Sequence, residues 1–131
     1  MSSNNLDIVR GIYDAFGKGD VPSVLSALDP QIDWNEAEGF PYAGKYVGPD
    51  AVLQGVLMKL GTEWDGYSAV PDEFVGSGDK VVSLGQYSGT YKATGKSFRA
   101  QFAHAFTLRD GKVVHFQQYT DTAIVQQALK G

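Results

Sequence analysis

The feature that most constrains the fold is a run of long β-type segments in the second half of the chain, joined by short polar turns. The sequence predicts these strands over residues 67–75, 80–91, 97–108 and 113–119. The connections have the composition of hairpin turns, and Asp110-Gly111 is the strongest such signal. Strands linked in this way predict an antiparallel meander, and the internal glycines Gly85 and Gly89 favour strong curvature.

Helical periodicity fills most of the first half of the chain. Apolar residues recur at helical spacing between Leu6 and Phe16, which predicts a first helix capped by Asn4 or Asn5. Asp20 is predicted to cap a second, shorter helix that has proline in its first turn.

The remaining elements complete an α+β order. A short strand is predicted over 32–36, a third helix opens at Gly48-Pro49-Asp50 and ends at Gly61, and a short helix covers 123–129. Helices first and strands later favour a cone-shaped, curved mixed or antiparallel sheet that encloses a pocket with about three helices. We expect residues 1–131 to form a single domain.

Composition excludes several classes of function. The 131 residues carry a net charge of −4 with scattered basic residues, so neither nucleic acid nor a membrane surface is an expected partner. The absence of cysteine excludes disulfides, thiol catalysis and thiolate metal sites. The polar start of the chain shows no signal core, and no window approaches the ~18 apolar residues of a membrane span. We therefore expect a cytoplasmic protein.

His104 is the most informative candidate residue. Alternation along strand 97–108 places it on the apolar face together with Phe102 and Phe106. A buried imidazole in such surroundings has a lowered pKa and is neutral at pH 7, which suits a base or a hydrogen-bond donor. The alternative is a core histidine whose nitrogens are satisfied by a tyrosine hydroxyl or a backbone carbonyl.

Two acidic residues alternate along the predicted strand that contains Trp34. Glu36 and Glu38 share a face with this tryptophan if the strand continues, and that face is expected to turn inward. Two carboxylates in one apolar cavity repel each other, which raises the pKa of one and places an acid beside a base. The alternative is that the strand ends by Asn35 and both glutamates lie in a solvated loop.

Metal, cofactor and oxyanion chemistry each require particular residues. A metal site requires about three ligands, and only His104 with Glu36, Glu38 or Asp121 offers a set, so we expect no metal. No glycine-rich phosphate loop is present, and we expect no cofactor. The phenols of Tyr87 and Tyr42 are candidate donors to a developing enolate oxygen.

The order of elements resembles the SnoaL-like branch of the nuclear transport factor 2-like superfamily, which also contains ketosteroid isomerases. The segments that carry the resemblance are Ile12-Tyr13-Asp14-Ala15-Phe16 with Gly19-Asp20, Leu28-Asp29-Pro30 with Ile32-Asp33-Trp34, Gly48-Pro49-Asp50-Ala51-Val52, and the run from His104 to Val113 with Phe116 to Thr122. The resemblance covers nearly the whole chain. It is specific for the fold and much less so for function, because one fold hosts many activities.

The resemblance implies roles for three residues. His104 matches the position at which ketosteroid isomerases carry an acidic donor to the oxyanion. Glu36 is the nearest match to their general base. Asp121 resembles the general acid/base aspartate of SnoaL-like cyclases, although the helix that follows makes a helix cap the alternative. The resemblance also implies a homodimer formed through the sheet.

Two functional hypotheses follow. The first is a cofactor-independent acid/base enzyme, of isomerase, cyclase, dehydratase or hydrolase type, that acts on an apolar carbonyl- or epoxide-bearing substrate through His104, Asp121 and Glu36. The second is a non-catalytic small-molecule binder or a dimeric interaction subunit. In either case the ligand is a small apolar organic molecule. Its expected contacts are Trp34, Glu38, Tyr42, Tyr87, Phe102, Phe106 and Tyr119.

Overall fold

The computed structural model describes residues 2–130, with side chains described from residue 4 onward. Its α-helices are α1 (Ser2–Gly17), α2 (Val21–Ser26), α3 (Pro49–Val52), α4 (Met58–Glu63) and α5 (Thr122–Leu129). A π-helical turn, Leu53–Leu57, joins α3 to α4, so that residues 49–63 form one continuous helical segment. Helices cover one face of a single sheet.

The sheet is a curved, open, mixed sheet. Its strands are β1 (Leu28–Glu36), β2 (Gly44–Val47), β3 (Trp64–Ser77), β4 (Lys80–Tyr91), β5 (Lys96–Arg109) and β6 (Lys112–Thr120). They lie in the order β2-β1-β6-β5-β4-β3. The pair β1–β6 is parallel and the other pairs are antiparallel. The predicted α+β architecture, with a long meander from β3 to β6, is confirmed.

Curvature of the meander depends on a close backbone approach at Gly85. The register between β3 and β4 shifts between Pro71 and Glu73, directly opposite this glycine. A Cβ atom at Gly85 would lie 2.2 Å from the carbonyl oxygen of Val70 and 2.7 Å from the ring of Phe102. Only glycine lets the bulged strand lie this close to its neighbour.

Helix starts follow local capping chemistry, with one exception. Asp20 caps α2 as predicted, because its carboxylate accepts the backbone N–H of Ser23 at 3.3 Å. The prediction that Asn4 or Asn5 caps α1 is wrong, since the helix already begins at Ser2. The amide of Asn5 instead donates to the Gly78 carbonyl at 3.3 Å and ties α1 to the β3–β4 turn.

Strand β1 begins four residues earlier than predicted, and the sequence patterns do not predict β2. Pro30 interrupts the alternation near the start of β1, and the structure accommodates it where the β1–β6 register shifts between Leu28 and Asp33. The edge strand β2 has only four residues and pairs with β1 alone. So short a segment has too little periodicity to distinguish it from a loop.

The hydrophobic core lies between the concave face of the sheet and the helices. Val9 of α1, Val52 of α3 and Val125 of α5 are fully buried against strands from both halves of the chain. Alternate residues of β5 and β6 point into this layer, and aromatic rings fill much of it. The polar groups that share this face define the candidate site.

Candidate functional site

An apolar cavity lies between the concave face of the sheet, α1 and the 49–63 helical segment. Its volume is about 70 Å³, which holds roughly five to seven water-sized spheres. Aromatic and aliphatic side chains form most of its wall, and none of the described residues that line it is a lysine or an arginine. Its polar or partly polar lining consists of Tyr13, Trp34, Glu36, Tyr67, Tyr87, His104 and Gln118.

Strand register brings the polar groups together. Ser83 on β4 lies opposite His104 on β5, and His104 lies opposite Gln118 on β6, so the three side chains form one row across the sheet. The parallel β1–β6 pair then places Trp34 beside Phe116, and their rings stack with centroids 3.8 Å apart. Glu36 lies two residues after Trp34 in β1, so the two side chains share one face of the strand and the Glu36 carboxyl group points inward.

Glu36 is the buried carboxyl group of the site. It is 7 % exposed, and Trp34 Nε1 donates a hydrogen bond to its Oε2 atom at 2.8 Å. Oε1 has no hydrogen-bond partner within residues 2–130. Burial raises the pKa of Glu36 to about 7, and the Trp34 bond opposes part of that rise. At neutral pH this carboxyl is therefore present in both the acid and the carboxylate form.

His104 is a buried, neutral imidazole. It is 6 % exposed and stacks on Phe102 with ring centroids 4.1 Å apart. The Tyr13 hydroxyl lies 2.5 Å from its Nδ1 atom, and the Tyr87 hydroxyl is hydrogen-bonded to Nε2. Burial lowers the pKa of His104 to about 3, so the ring carries no charge at neutral pH. The predicted inward orientation is confirmed, and its catalytic role stays a prediction.

Gln118 fixes the position of the Tyr87 hydroxyl. Its Nε2 atom donates to that hydroxyl at 2.9 Å, while its Oε1 atom accepts the backbone N–H of Ala37 at 2.9 Å. Because a backbone N–H is only a donor, this second contact settles which end of the amide faces Tyr87. The Tyr87 oxygen therefore accepts one hydrogen bond from Gln118.

Three predicted site residues are exposed to solvent, outside the cavity. Glu38 is exposed in the turn after β1, because the strand ends at Glu36 and the alternation ends with it. Tyr119 is 57 % exposed, since the register that directs Gln118 inward directs its neighbour outward. Asp121 caps α5 by accepting the Ile124 N–H at 3.2 Å, which is the helix-cap alternative.

The other predicted contacts divide between the cavity wall and the surrounding core. Trp34, Tyr87 and Phe106 line the cavity. Phe102 is buried but packs behind His104. Tyr42 is buried away from the cavity: its hydroxyl donates to Glu63 at 2.5 Å and accepts from Trp64 Nε1 at 3.0 Å. Tyr42 does not line the cavity, so the predicted contact between Tyr42 and the ligand is wrong.

Sequence reasoning missed four polar groups near the cavity: Tyr13, Tyr67, Ser83 and Gln118. Helical periodicity places Tyr13 only on the apolar face of α1, yet its hydroxyl reaches Ser83 and His104 across the core. Gln118 shares its inward parity with Phe116, and that parity is the signal that could have found it. Contacts such as Tyr13 to His104 join residues far apart in the chain and have no local pattern.

In the part of the chain that the structure describes, no group of three His, Cys, Asp or Glu side chains lies close enough together to bind a metal ion. His115 lies on the opposite face of the sheet from the cavity, and its Nδ1 atom is 3.1 Å from Asp33 Oδ2.

Of residues 2–130, no helix is both long and apolar enough to cross a membrane.

Comparison with known proteins identifies the family. A family model described as the SnoaL-like domain matches residues 9–116. This chain belongs to the SnoaL-like family. The resemblance drawn from the sequence segments is thus confirmed. None of the curated proteins matches this SnoaL-like chain.

Solved structures of similar proteins share the whole SnoaL-like fold. An NTF2-like protein from Burkholderia thailandensis E264 has 42 % sequence identity and a TM-score of 0.93, covering 95 % of this chain and 96 % of that one. An NTF2-like protein of unknown function from Burkholderia pseudomallei K96243 has 31 % identity and a TM-score of 0.90, with 98 % of both chains covered. TerC, co-crystallised with polyporic acid, has 25 % identity and a TM-score of 0.87, covering 98 % of this chain and 99 % of that one.

Proposed function

We propose that this SnoaL-like protein is a cofactor-independent acid/base enzyme that moves a proton within a small, uncharged carbonyl compound. The observation that carries the proposal is Glu36, a buried carboxyl with one unpaired oxygen beside an apolar cavity and a pKa near 7. A general base is most effective when its pKa lies near the working pH. A glutamate in solvent, with its ordinary pKa of 4.5, is a much weaker base.

Two phenols complete the site as donors to the carbonyl oxygen. The rings of Tyr67 and Tyr87 lie with centroids 5.5 Å apart, and both line the cavity. Burial raises the pKa of each phenol well above its ordinary value, so both stay protonated and can donate. The Tyr67 hydroxyl has no hydrogen-bond partner within the described residues. Such donors stabilise the negative charge that develops on an enolate oxygen.

The proposed reaction is an allylic isomerisation that conserves every atom. The Glu36 carboxylate takes a proton from the carbon between the carbonyl group and the double bond. The electron pair of the broken C–H bond moves into the dienolate, and the oxygen is held by the phenols. Glu36, now a carboxylic acid, returns the proton to the γ carbon, and the conjugated ketone leaves.

The size of the cavity and the charges around it limit the range of possible substrates. A volume of about 70 Å³ is far below the ~300–1,000 Å³ of sites for drug-sized ligands, so the substrate has only a few non-hydrogen atoms. Among the described residues, no lysine or arginine lines the wall to balance the charge of a carboxylate substrate, and ionised Glu36 would repel such a substrate. The co-crystallisation of TerC with polyporic acid supports a small-molecule ligand.

The single domain over 1–131, the homodimer and the cytoplasmic location stay predictions.

The test is the conversion of cyclopent-3-enone to cyclopent-2-enone, followed by the ultraviolet absorbance of the conjugated product. We expect Glu36→Gln to lower kcat/KM by at least about a hundredfold, because the amide cannot accept the proton. In the wild type kcat/KM should rise with pH through about 7 and then level off, since only the carboxylate is the base.

A matched control comes from the neighbouring glutamate. Glu38→Gln makes the same chemical change at an exposed position outside the cavity and should leave kcat/KM within about twofold of the wild type. Equal turnover by the Glu36→Gln variant and the wild type would contradict the assignment of the base.

A non-catalytic binder is the second candidate function. Among the residues that the structure describes, every side-chain nitrogen or oxygen that is fully sealed from solvent has a hydrogen-bond partner. In the cavity wall, both ring nitrogens of His104 and both ends of the Gln118 amide have such partners, as expected of a pocket that only orients a ligand. Binding of cyclopentanone without turnover of cyclopent-3-enone would favour this candidate over the enzyme.

A further inference from the structure

The Glu36 carboxyl group has no partner of opposite charge in the cavity wall. Trp34 donates a neutral indole N–H to its Oε2 atom at 2.8 Å. None of the described residues that line the cavity is a lysine or an arginine, and burial keeps His104 uncharged at neutral pH. A buried charge without a partner is costly, so the ionised form of Glu36 favours a cation beside it.

The second oxygen of this carboxyl group is accessible from the cavity. Within the described residues, every side-chain nitrogen or oxygen that is fully sealed from solvent has a hydrogen-bond partner. Glu36 Oε1 has no such partner, so it is not sealed, and Glu36 lines the cavity. A cation in the cavity can therefore contact this oxygen directly.

Aromatic rings surround the same space. Eight of the described lining residues are phenylalanine, tyrosine or tryptophan, among them Trp34, Tyr67 and Tyr87. The face of such a ring carries partial negative charge and attracts a cation within ~6 Å of its centre. The cavity has a volume of only about 70 Å³, so any occupant lies close to several of these rings.

These walls suit an organic cation better than a metal ion. A metal ion requires several oxygen, nitrogen or sulfur ligands, and no three His, Cys, Asp or Glu side chains of the described residues lie close enough together to supply them. An alkylammonium ion carries methyl groups that pack against aromatic rings, and its charge needs only one carboxylate. The volume of the cavity suits an ion of about five non-hydrogen atoms.

We propose that the cavity is also a binding site for a small alkylammonium ion, whose charge lies against the Glu36 carboxylate and whose methyl groups contact the surrounding aromatic rings. This inference goes beyond the proposed isomerisation, because the ion would occupy the place of the substrate and inhibit turnover. The two proposals share only the location of the ligand and the ionisation of Glu36.

Glu36 is the group whose ionisation should control this binding. The titratable groups that surround it on the other described elements are Tyr13 of α1, Tyr46 of β2, Tyr67 of β3, Tyr87 of β4 and His104 of β5. Burial raises the pKa of each of these phenols and lowers that of His104 to about 3. The other described lining side chains cannot ionise. Between pH 5.5 and 8.5, Glu36 alone in this group changes charge.

The first measurement compares tetramethylammonium with tert-butanol by NMR titration at pH 8.5. Both molecules place methyl groups around a tetrahedral centre, and only the first carries a charge. We expect tetramethylammonium to bind at least about tenfold more tightly, through the carboxylate and the aromatic rings together. Equal affinities, or no saturable binding of the cation, overturn the proposal.

The second measurement repeats both titrations at pH 5.5. Tetramethylammonium has no proton to lose, so any pH dependence of its binding belongs to the protein. Its affinity should be at least about tenfold weaker at pH 5.5, because Glu36 has a pKa of about 7 and is then mostly protonated. The affinity of tert-butanol should not weaken. A cation affinity that is equal at the two pH values overturns the proposal.

A matched pair of variants locates the ion. Glu36→Gln should lose both the preference for the cation and its pH dependence, whereas Glu38→Gln, the same change at an exposed position, should keep both. The protein has a net charge of −4, so a cation can also bind weakly to its surface. Binding of tetramethylammonium to Glu36→Gln as tightly as to the wild type at pH 8.5 would place the ion at such a surface and overturn the proposal.

Two substitutions of Tyr67 test the contribution of the rings. Tyr67→Phe keeps the ring, so the ratio of the two affinities should stay within about twofold of the wild-type ratio. Tyr67→Leu removes the ring and should lower the preference for the cation by about threefold or more. An unchanged ratio in Tyr67→Leu contradicts the proposed contact with the rings. The measurements on the wild type and Glu36→Gln test the proposal even if Tyr67→Leu does not fold.

The inference and the proposed function can fail separately. Binding of tetramethylammonium without isomerisation of cyclopent-3-enone leaves the inference standing and refutes the enzyme. Isomerisation that tetramethylammonium does not inhibit at pH 8.5 refutes the inference alone.

Discussion

At pH 8, Glu36→Gln should unfold with a free energy about 3 kcal/mol larger than that of the wild type, while at pH 4 the two proteins should be nearly equal. Folding raises the pKa of this carboxyl from 4.5 to about 7 because it is buried. Each pKa unit corresponds to ~1.36 kcal/mol of difference between the protonation states. The wild type therefore loses stability on ionising Glu36, and an amide has no such loss.

Stability falls as Glu36 ionises because the folded state binds its proton more tightly than the unfolded chain does. Between pH 4.5 and about 7 the folded protein keeps the Glu36 proton and the unfolded chain releases it. The stability that the folded protein gains from binding the Glu36 proton more tightly is therefore complete below pH 4.5 and is lost as the pH rises through 7.

His104 has the opposite dependence. Its pKa falls from 6.5 to about 3 on folding, so it contributes stability above pH 6.5 that is lost as the pH falls toward 3. Between about pH 4.5 and 6.5 the two slopes oppose each other, and their combined contribution is nearly flat. Glu36→Gln should remove one slope and leave stability rising with pH up to about 6.5.

Urea unfolding at pH 4, 5.5 and 8 provides the measurement. Glu38→Gln is the control, because it makes the same chemical change at an exposed position and should leave the free energy of unfolding within about 0.5 kcal/mol of the wild type at each pH. An unfolding free energy of Glu36→Gln at pH 8 no larger than that of the wild type would contradict a buried, proton-retaining carboxyl. Together with the expected loss of activity, the variant should be more stable and less active, as is common when a buried charge serves function.

Gly85→Ala should lower the free energy of unfolding by about 3–4 kcal/mol. The new Cβ atom would lie 2.2 Å from the Val70 carbonyl oxygen and 2.8 Å from the Cα atom of Pro71. Both are backbone atoms, so the clash cannot be relieved by rotating a side chain. Strand β3 must move away from β4 at its bulge, and the sheet loses curvature beside Tyr87.

The control for Gly85→Ala is a glycine with open space around it. Gly11 lies within α1, and a Cβ atom added to it would have no heavy atom of another element within 4 Å. Gly11→Ala should therefore stabilise the protein by up to about 1 kcal/mol through helix propensity alone. Urea unfolding compares the two variants, and a loss smaller than about 1 kcal/mol for Gly85→Ala would show that the bulge adapts.

Local patterns predict the parts of the fold that depend on neighbouring residues. The hairpin turns, the strand lengths of the meander and the cap at Asp20 all follow from composition and alternation within short windows. Strand β2 has only four residues at an edge, and its pairing with β1 depends on the fold as a whole. The parallel pairing of β1 with β6 likewise has no local signal.

The site is predictable only where a strand continues without interruption. His104 lies in the middle of β5, so alternation gives its orientation. The same argument applied to Glu38 is wrong because β1 ends at Glu36, and strand ends are poorly defined by sequence. The expectations for Tyr119 and Asp121 rest on resemblance, and the structure puts the first on the outer face and the second at a helix cap.

The parallel β1–β6 pair also joins the two parts of the chain that carry the proposed site residues. Glu36 belongs to the β1–β2 pair near the start of the chain, whereas His104, Tyr87 and Gln118 belong to the later meander. These two halves join along the β1–β6 seam, where Leu28 pairs with Val113. Closing so long a loop costs entropy that local hairpins do not incur, so the meander can form before the seam closes. We therefore expect the proposed base, Glu36, to face the proposed donors only after the β1–β6 pair has formed.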